Sequence, residues 1–246
     1  VSRKKLSVLF LTFNRLKLSS RYIPSLVSNL GDIDCEVLIG DNNSSDGTLD
    51  WACFFAHTCP LIPVRIFAFN ENRGMESFNI LAQESFGDYI LKLDDDISAP
   101  YGFAQDMYNA MIETKEQKLL FLGHDMAWHK HTFASRSGMD LYKPPHGKVV
   151  NVSNGQVFIH YNPSKWMVNG VCRLSRRDTF LNIGGHPKGI IYGCDAPMSR
   201  IAQRNGYWIG YYSNPNGLVQ HFGSDTKEYR KFKDGQLHKS GGPRHV

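Results

Sequence analysis

Three consecutive aspartates, Asp94, Asp95 and Asp96, end an apolar run in LKLDDDIS. Like-charge repulsion and desolvation both oppose such a cluster at the end of a buried strand. Either the three face water as a solvated turn, or a positive charge sits with them. A divalent cation would serve, because hard cations prefer oxygen ligands and often keep substrate phosphates in their shell. The missing positive charge would then be a metal ion brought in with a phosphate-bearing substrate.

Similar polar clusters follow three other apolar runs. Thr12 and Asn14 close LSVLFLTF, Asp41, Asn42 and Asn43 close CEVLIGD, and Asn70, Asn72, Arg73 and Gly74 follow VRIFAF. In an open α/β sheet ligands bind outside the carboxyl ends of the strands, where helix N-termini also point. Four polar clusters at such ends predict one binding crevice. Neither G-x-x-x-x-G-K-[ST] nor G-x-G-x-x-G occurs, so phosphate charge would be met through the aspartates and a cation.

The elements that must carry these residues alternate. Strands are predicted at 6–13, 35–41, 64–69 and 88–94. Between them lie helical patterns with Leu18, Tyr22, Ile23, Leu26, Val27 and Leu30 as one stripe, then LDWACFFAH, then 75–85. Pro24 should kink or shorten the first helix. This alternation argues for a parallel sheet with helices on both faces. A helix at 99–117 and the run KLLFLGHD follow. After that the pattern turns antiparallel, with a hairpin at 149–162 around Asn154-Gly155, a helix from Asp195, and strand-like YWIGYY and GLVQHFG.

The chain has 246 residues, 41% hydrophobic and 12% aromatic, enough for one large core. Five scattered cysteines without a C-x-x-C pair argue against a disulfide framework or zinc site and for reduced thiols. No apolar run reaches the roughly 18 residues of a membrane span, and a cytoplasmic location is expected. Most of the net charge of +5 lies in the segment 226–246, a basic tail suited to phosphate, acidic headgroups or nucleic acid. Peripheral membrane contact through that tail is one reading of it.

At this point the sequence resembles a family. LIGDNNSSDGT, then NENRG, then GDYILKLDDD, followed by RRDTFLNIGG, YGCDAPMSRIAQRNGYWIGYY and LVQHFG, is similar to the family 2 inverting glycosyltransferases of GT-A fold, over residues 5 to 225. The resemblance implies a single domain with a Rossmann-like, mostly parallel sheet and a smaller antiparallel acceptor side. Residues 1–98 would form the nucleotide-sugar half and 99–225 the acceptor half. It implies that Asp41 contacts the nucleotide base, with Thr12, Asn14 and Arg73 nearby. Asp94 and Asp96 would be the D-x-D pair, Asp96 toward the metal and Asp94 toward the ribose, with Asp95 between them. His221 would complete the shell of a Mn²⁺ or Mg²⁺ ion, and Asp195 would be the general base.

The implied reaction moves a sugar from a nucleoside diphosphate, UDP being favoured, to an acceptor hydroxyl. A saccharide, a protein or a modified base in nucleic acid would each offer one, and a nucleotide-sugar-binding module without turnover is a further alternative. Trp166 is the candidate for stacking on the acceptor, and Arg173 and Arg176 for binding it, with phosphates as their target if it is a nucleic acid. The chain departs from the family at Cys194, where an acid is usual, at Phe78, where arginine is common, and at His186, which replaces an aromatic. His124, Asp125, His129 and His131 in GHDMAWHKHTF lack the spacing of a zinc site.

Overall fold

The computed structural model describes residues 4–60, 62–126, 145–162, 167–191, 193–215 and 217–222. The first half is β1 (Lys4–Thr12), α1 (Leu16–Ser28), β2 (Cys35–Asp41), α2 (Thr48–Thr58), β3 (Val64–Ala68), α3 (Ser77–Glu84) and β4 (Gly87–Leu93). The strands stand parallel in the order β3-β2-β1-β4, with Thr12 level with Asp41 and Phe10 level with Leu93. All four carboxyl ends therefore open on one edge.

The second half is β5 (Ile97–Ser98), α4 (Phe103–Glu113), β6 (Leu119–His124), β7 (Gly147–Val152), β8 (Gly155–His160), β9 (Cys172–Arg176), α5 (Arg177–Asn182), α6 (Asp195–Arg204), β10 (Trp208–Ser213) and β11 (Gln220–His221). Apart from β5 and β11, which pair with each other, its strands continue the same sheet in the order β4-β9-β6-β10-β8-β7. β9, which has no counterpart in the predicted elements, runs antiparallel between β4 and β6. The parallel strands β6 and β10 therefore deliver their carboxyl ends to the edge already formed by β1 to β4.

Alternation along the strands makes two cores. Leu6, Val8 and Phe10 of β1 pack on one face with Ile23, Leu26 and Val27 of α1 and Phe103, Met107 and Met111 of α4. Leu9, Leu38 and Ile90 pack on the other with Phe78 and Leu81 of α3, Phe180 of α5 and Met198 of α6. Burial of residues on both sides of Pro24 explains why α1 continues to Ser28 rather than ending at the proline. α4 is shorter than predicted, bounded by left-handed backbone at Gly102 (φ 80°) and Lys115 (φ 55°).

At the opposite edge Glu36 is buried but satisfied. It accepts hydrogen bonds from Ser7 Oγ at 2.7 Å and the Phe86 amide at 2.6 Å, and pairs with Arg65 at 3.1 Å. That network ties β1, β2, β3 and the start of β4 together.

Candidate active site

The acidic turn after β4 is not a solvated loop. Asp95 and Asp96 are essentially inaccessible, and a guanidinium closes on both. Arg15 Nη1 lies 2.7 Å from Asp95 Oδ1, and Arg15 Nη2 bonds to Asp96 Oδ2. Asp95 also accepts from Ser19 Oγ at 2.6 Å, and Ser19 Oγ lies 2.9 Å from Thr12 Oγ1. Burial raises the Asp95 carboxyl above its ordinary pKa against the pull of Arg15. Burial also opposes the Asp96 charge, but His221 and Arg15 outweigh it and hold that carboxyl well below the usual range.

His221 arrives from the far end of the chain. β11 pairs antiparallel with β5, setting His221 opposite Ile97, and the Phe222 amide donates to the Asp96 carbonyl at 2.9 Å. The imidazole Nε2 then lies 3.1 Å from Asp96 Oδ1. Asp94, Asp96 and His221 each bring one ligand atom to a group within 4.8 Å. Two carboxylates and an imidazole suit Mn²⁺ or Mg²⁺, so the residues fit a divalent cation.

Asp94 joins this group to a second carboxylate. It pairs with the buried Lys92 ammonium, which also donates to the Gly170 carbonyl. Burial opposes that ammonium, yet the Asp94 charge raises its pKa. Directly beside Gly170 lies Asp195 at the first turn of α6, so close that a β-carbon on Gly170 would fall 2.4 Å from Asp195 Oδ1. Cys194 Sγ lies 3.5 Å from the same oxygen.

On the other side of the acidic turn, Asn14 adopts a left-handed conformation (φ 50°) and pins the loop after β2. Its backbone N–H donates to Ser44 Oγ at 2.9 Å and its Oδ1 accepts from the Ser45 backbone N–H at 2.7 Å. Asp41 closes β2 and is buried. One of its oxygens accepts from the Ser44 amide at 2.8 Å, while Oδ1 has no hydrogen-bond partner, an arrangement suited to a donor group on a ligand. Arg73 is exposed and pairs with Glu71 at 3.1 Å.

The sequence from residue 7 to 168 matches the model of glycosyl transferase family 2. The chain belongs to that family. Solved structures with the same fold include the mannosyltransferase PcManGT from Pyrobaculum calidifontis in complex with GDP-Man and Mn²⁺, at 18% identity and TM-score 0.64, covering 96% of this chain and 62% of that one. S. aureus TarS 1-349 with UDP-GlcNAc aligns at 16% identity and TM-score 0.63, covering 92% and 60%. GalNAc-T7 with UDP, GalNAc and Mn²⁺ aligns at 13% identity and TM-score 0.64, covering 100% and 52%. The chain thus spans between half and two thirds of these neighbours' lengths. No curated protein matches it in sequence.

Within this family 2 fold, Thr12, Asn14, Asp41, Asp94, Asp95, Asp96, His221 and Asp195 gather at one sheet edge, with Thr12 and Asp95 buried beneath it. Arg173 and Arg176 do not join them as surface contacts. Arg173, level with Lys92 across the β4–β9 pair, is buried; its guanidinium lies 3.0 Å from His186 Nε2 and 4.7 Å from the Phe121 ring centroid. Arg176 pairs with Tyr89 four residues back along β4, about 13 Å from the acidic edge. There it donates to the Leu119 carbonyl at 2.7 Å.

Phe78 and His186 share one neighbourhood with Lys92. The Phe78 ring lies 5.7 Å from His186 and 5.4 Å from the Lys92 ammonium. Asn79 clasps the His186 backbone, accepting from its amide at 2.7 Å and donating to its carbonyl at 2.8 Å. Trp166, His129, His131 and the basic tail fall outside the described residues. His124 is buried edge-on to Tyr212, its Nδ1 2.8 Å from the Asp125 carbonyl. No described helix is long and apolar enough to cross a membrane.

Arg15 is the residue that sequence reasoning missed. Its signal is position: Arg15 is the N-cap of α1, at the carboxyl end of β1, and so stands at the edge where the acidic turn ends β4.

Proposed function

We propose that this family 2 glycosyltransferase moves a sugar, with inversion, from a nucleoside diphosphate donor to an acceptor hydroxyl, and depends on a divalent metal. The observation that carries this reading is the placement of Asp195 across Gly170 from the Asp94, Asp96 and His221 group. Asp94, Asp96 and His221 would hold Mn²⁺ or Mg²⁺. When bound, that ion supplies electrostatic stabilisation to the departing diphosphate.

The chain's own residues divide the remaining work. Asp41, with its free Oδ1, receives a donor group of the nucleotide base, and Asn14 holds the loop over it. Asp94 would serve the ribose, and Arg73, now paired with Glu71, would turn to the nucleotide. Asp195 takes the proton of the acceptor hydroxyl as that oxygen bonds to the anomeric carbon, and the carbon inverts because the attack is a single displacement. UDP is the favoured nucleotide, in line with the TarS and GalNAc-T7 complexes, although PcManGT was solved with GDP-Man. We read residues 1–98 as the donor half of one cytoplasmic domain and 99–225 as its acceptor half.

Titration of UDP and GDP with and without Mn²⁺ tests the donor side. Metal-dependent binding of one nucleotide, lost in Asp96→Asn, is expected. Asp195→Asn should keep that binding and lose turnover; an unchanged rate would remove Asp195 as the base.

A further inference from the structure

We propose that Tyr22 is a positioning residue for the cation site, acting through Phe222 to hold His221 against Asp96. This rests on the metal reading above. The Tyr22 and Phe222 rings stack with centroids 5.0 Å apart and planes within 10°. The Arg21 guanidinium lies 5.3 Å from the Tyr22 centroid.

The stack matters because the backbone holds His221 weakly. β11 and β5 are two residues each, and so short a ribbon is marginal without side-chain packing. Besides that ladder, the Phe222 amide bond to the Asp96 carbonyl and the Val219 amide bond to the Asp125 carbonyl at 3.2 Å tie the segment down. Successive side chains of an extended segment leave on opposite sides. An aromatic anchor on Phe222 therefore fixes the rotation that aims the preceding imidazole at the carboxylates.

Tyr22 is suited to this task by its place in the sequence. Arg15, the N-cap of α1, and Ser19 and Tyr22 within the helix touch, in turn, Asp96, Asp95 and Phe222. The N-cap and first turns of α1 thus hold both the carboxylate ligand and the segment that brings the imidazole ligand. Outer-shell partners that orient metal ligands commonly change metal affinity about 10-fold or more when removed.

The test is Mn²⁺ binding by electron paramagnetic resonance, without nucleotide or acceptor, for wild type, Tyr22→Leu, Tyr22→Phe, His221→Ala and the Tyr22→Leu/His221→Ala double variant. Tyr22→Leu should weaken Mn²⁺ about 10-fold and lose the imidazole nitrogen modulation from the Mn²⁺ echo. Tyr22→Phe keeps the stack and should keep both. In the His221→Ala background Tyr22→Leu should add nothing, since its effect passes through the imidazole. Should Tyr22→Leu fold poorly, Phe222→Leu, at a residue 42% exposed, removes the other half of the stack. Additive losses, or full imidazole coordination in Tyr22→Leu, would overturn the inference and leave the metal site standing. No Mn²⁺ binding by the wild-type protein would overturn the metal reading and this inference with it.

Discussion

Gly170 and Asp195 fit together only because residue 170 has no side chain: a β-carbon there would fall 2.4 Å from Asp195 Oδ1 and 3.2 Å from the Cys194 sulfur. The backbone at Gly170 is not left-handed, so what alanine would meet there is a matter of space rather than φ, and the atom in its way is the end of the Asp195 side chain. Gly170→Ala must therefore displace the Asp195 carboxylate. With Asp195 as the base, turnover should fall about 100-fold while nucleotide affinity stays near wild type. Steady-state kinetics beside calorimetry separates the two. An alanine variant that turns over normally would show that Asp195 does not need its present position.

Arg15 supplies the positive charge that the acidic turn demands. Replacing it with methionine leaves Asp95 and Asp96 buried side by side without it, and breaking such a pair costs about 3 kcal/mol. A bound cation would return part of that charge. Urea unfolding of Arg15→Met should show the loss in chelator and a larger Mn²⁺ stabilisation than wild type shows. An unchanged midpoint in chelator would mean that the turn is stabilised elsewhere.

How much of this was legible in the sequence depends on the range of each contact. Strand and helix periodicity is local, so the alternating first half and the polar strand ends were readable. His221 and Asp195 were readable only through family resemblance, because their partners lie far away in the chain. β9 was missed because CRLSR earns its strand by pairing between β4 and β6, a non-local contact that its own composition does not announce. Arg173 and Arg176 looked like surface cations for the same reason. Once β9 enters the sheet, one guanidinium is enclosed against Phe121 and the other is carried to the far edge.

His186 makes a pH prediction. Burial, then the charges of Arg173 and Lys92, depress its pKa well below the ordinary value, so it is neutral in the folded protein. The unfolded chain binds a proton near pH 6.5 that the folded chain refuses. Stability is therefore full above that pH and falls as pH drops below it, by up to about 1.4 kcal/mol per pH unit for one proton. His186→Gln retains an acceptor for Arg173 and should flatten this slope between pH 6.5 and 5. His124, also depressed by burial, keeps its own share. Urea midpoints across that range decide it; an identical slope in the variant would mean that His186 is protonated in the folded state.

Cys194 touches the proposed base, which raises the question of whether it is itself a nucleophile. Burial pushes its thiol up to about 11, and Asp195 adds to the rise, although Lys92 and Arg173 pull against it. A thiol so held is protonated at neutral pH and is a poor nucleophile. Cys35 and Cys172 are buried too, and burial raises both. Only Cys53 is exposed, with Cys59 partly so. Native titration with a disulfide reagent should modify Cys53 first and leave Cys194 unreacted until the protein unfolds. Cys194→Ser, which preserves a small donor beside Asp195 Oδ1, should keep turnover within about threefold, since altering one weak hydrogen bond is worth roughly 0.5 kcal/mol. Rapid labelling of Cys194, or abolished turnover in the serine variant, would instead give the thiol a direct part in the reaction.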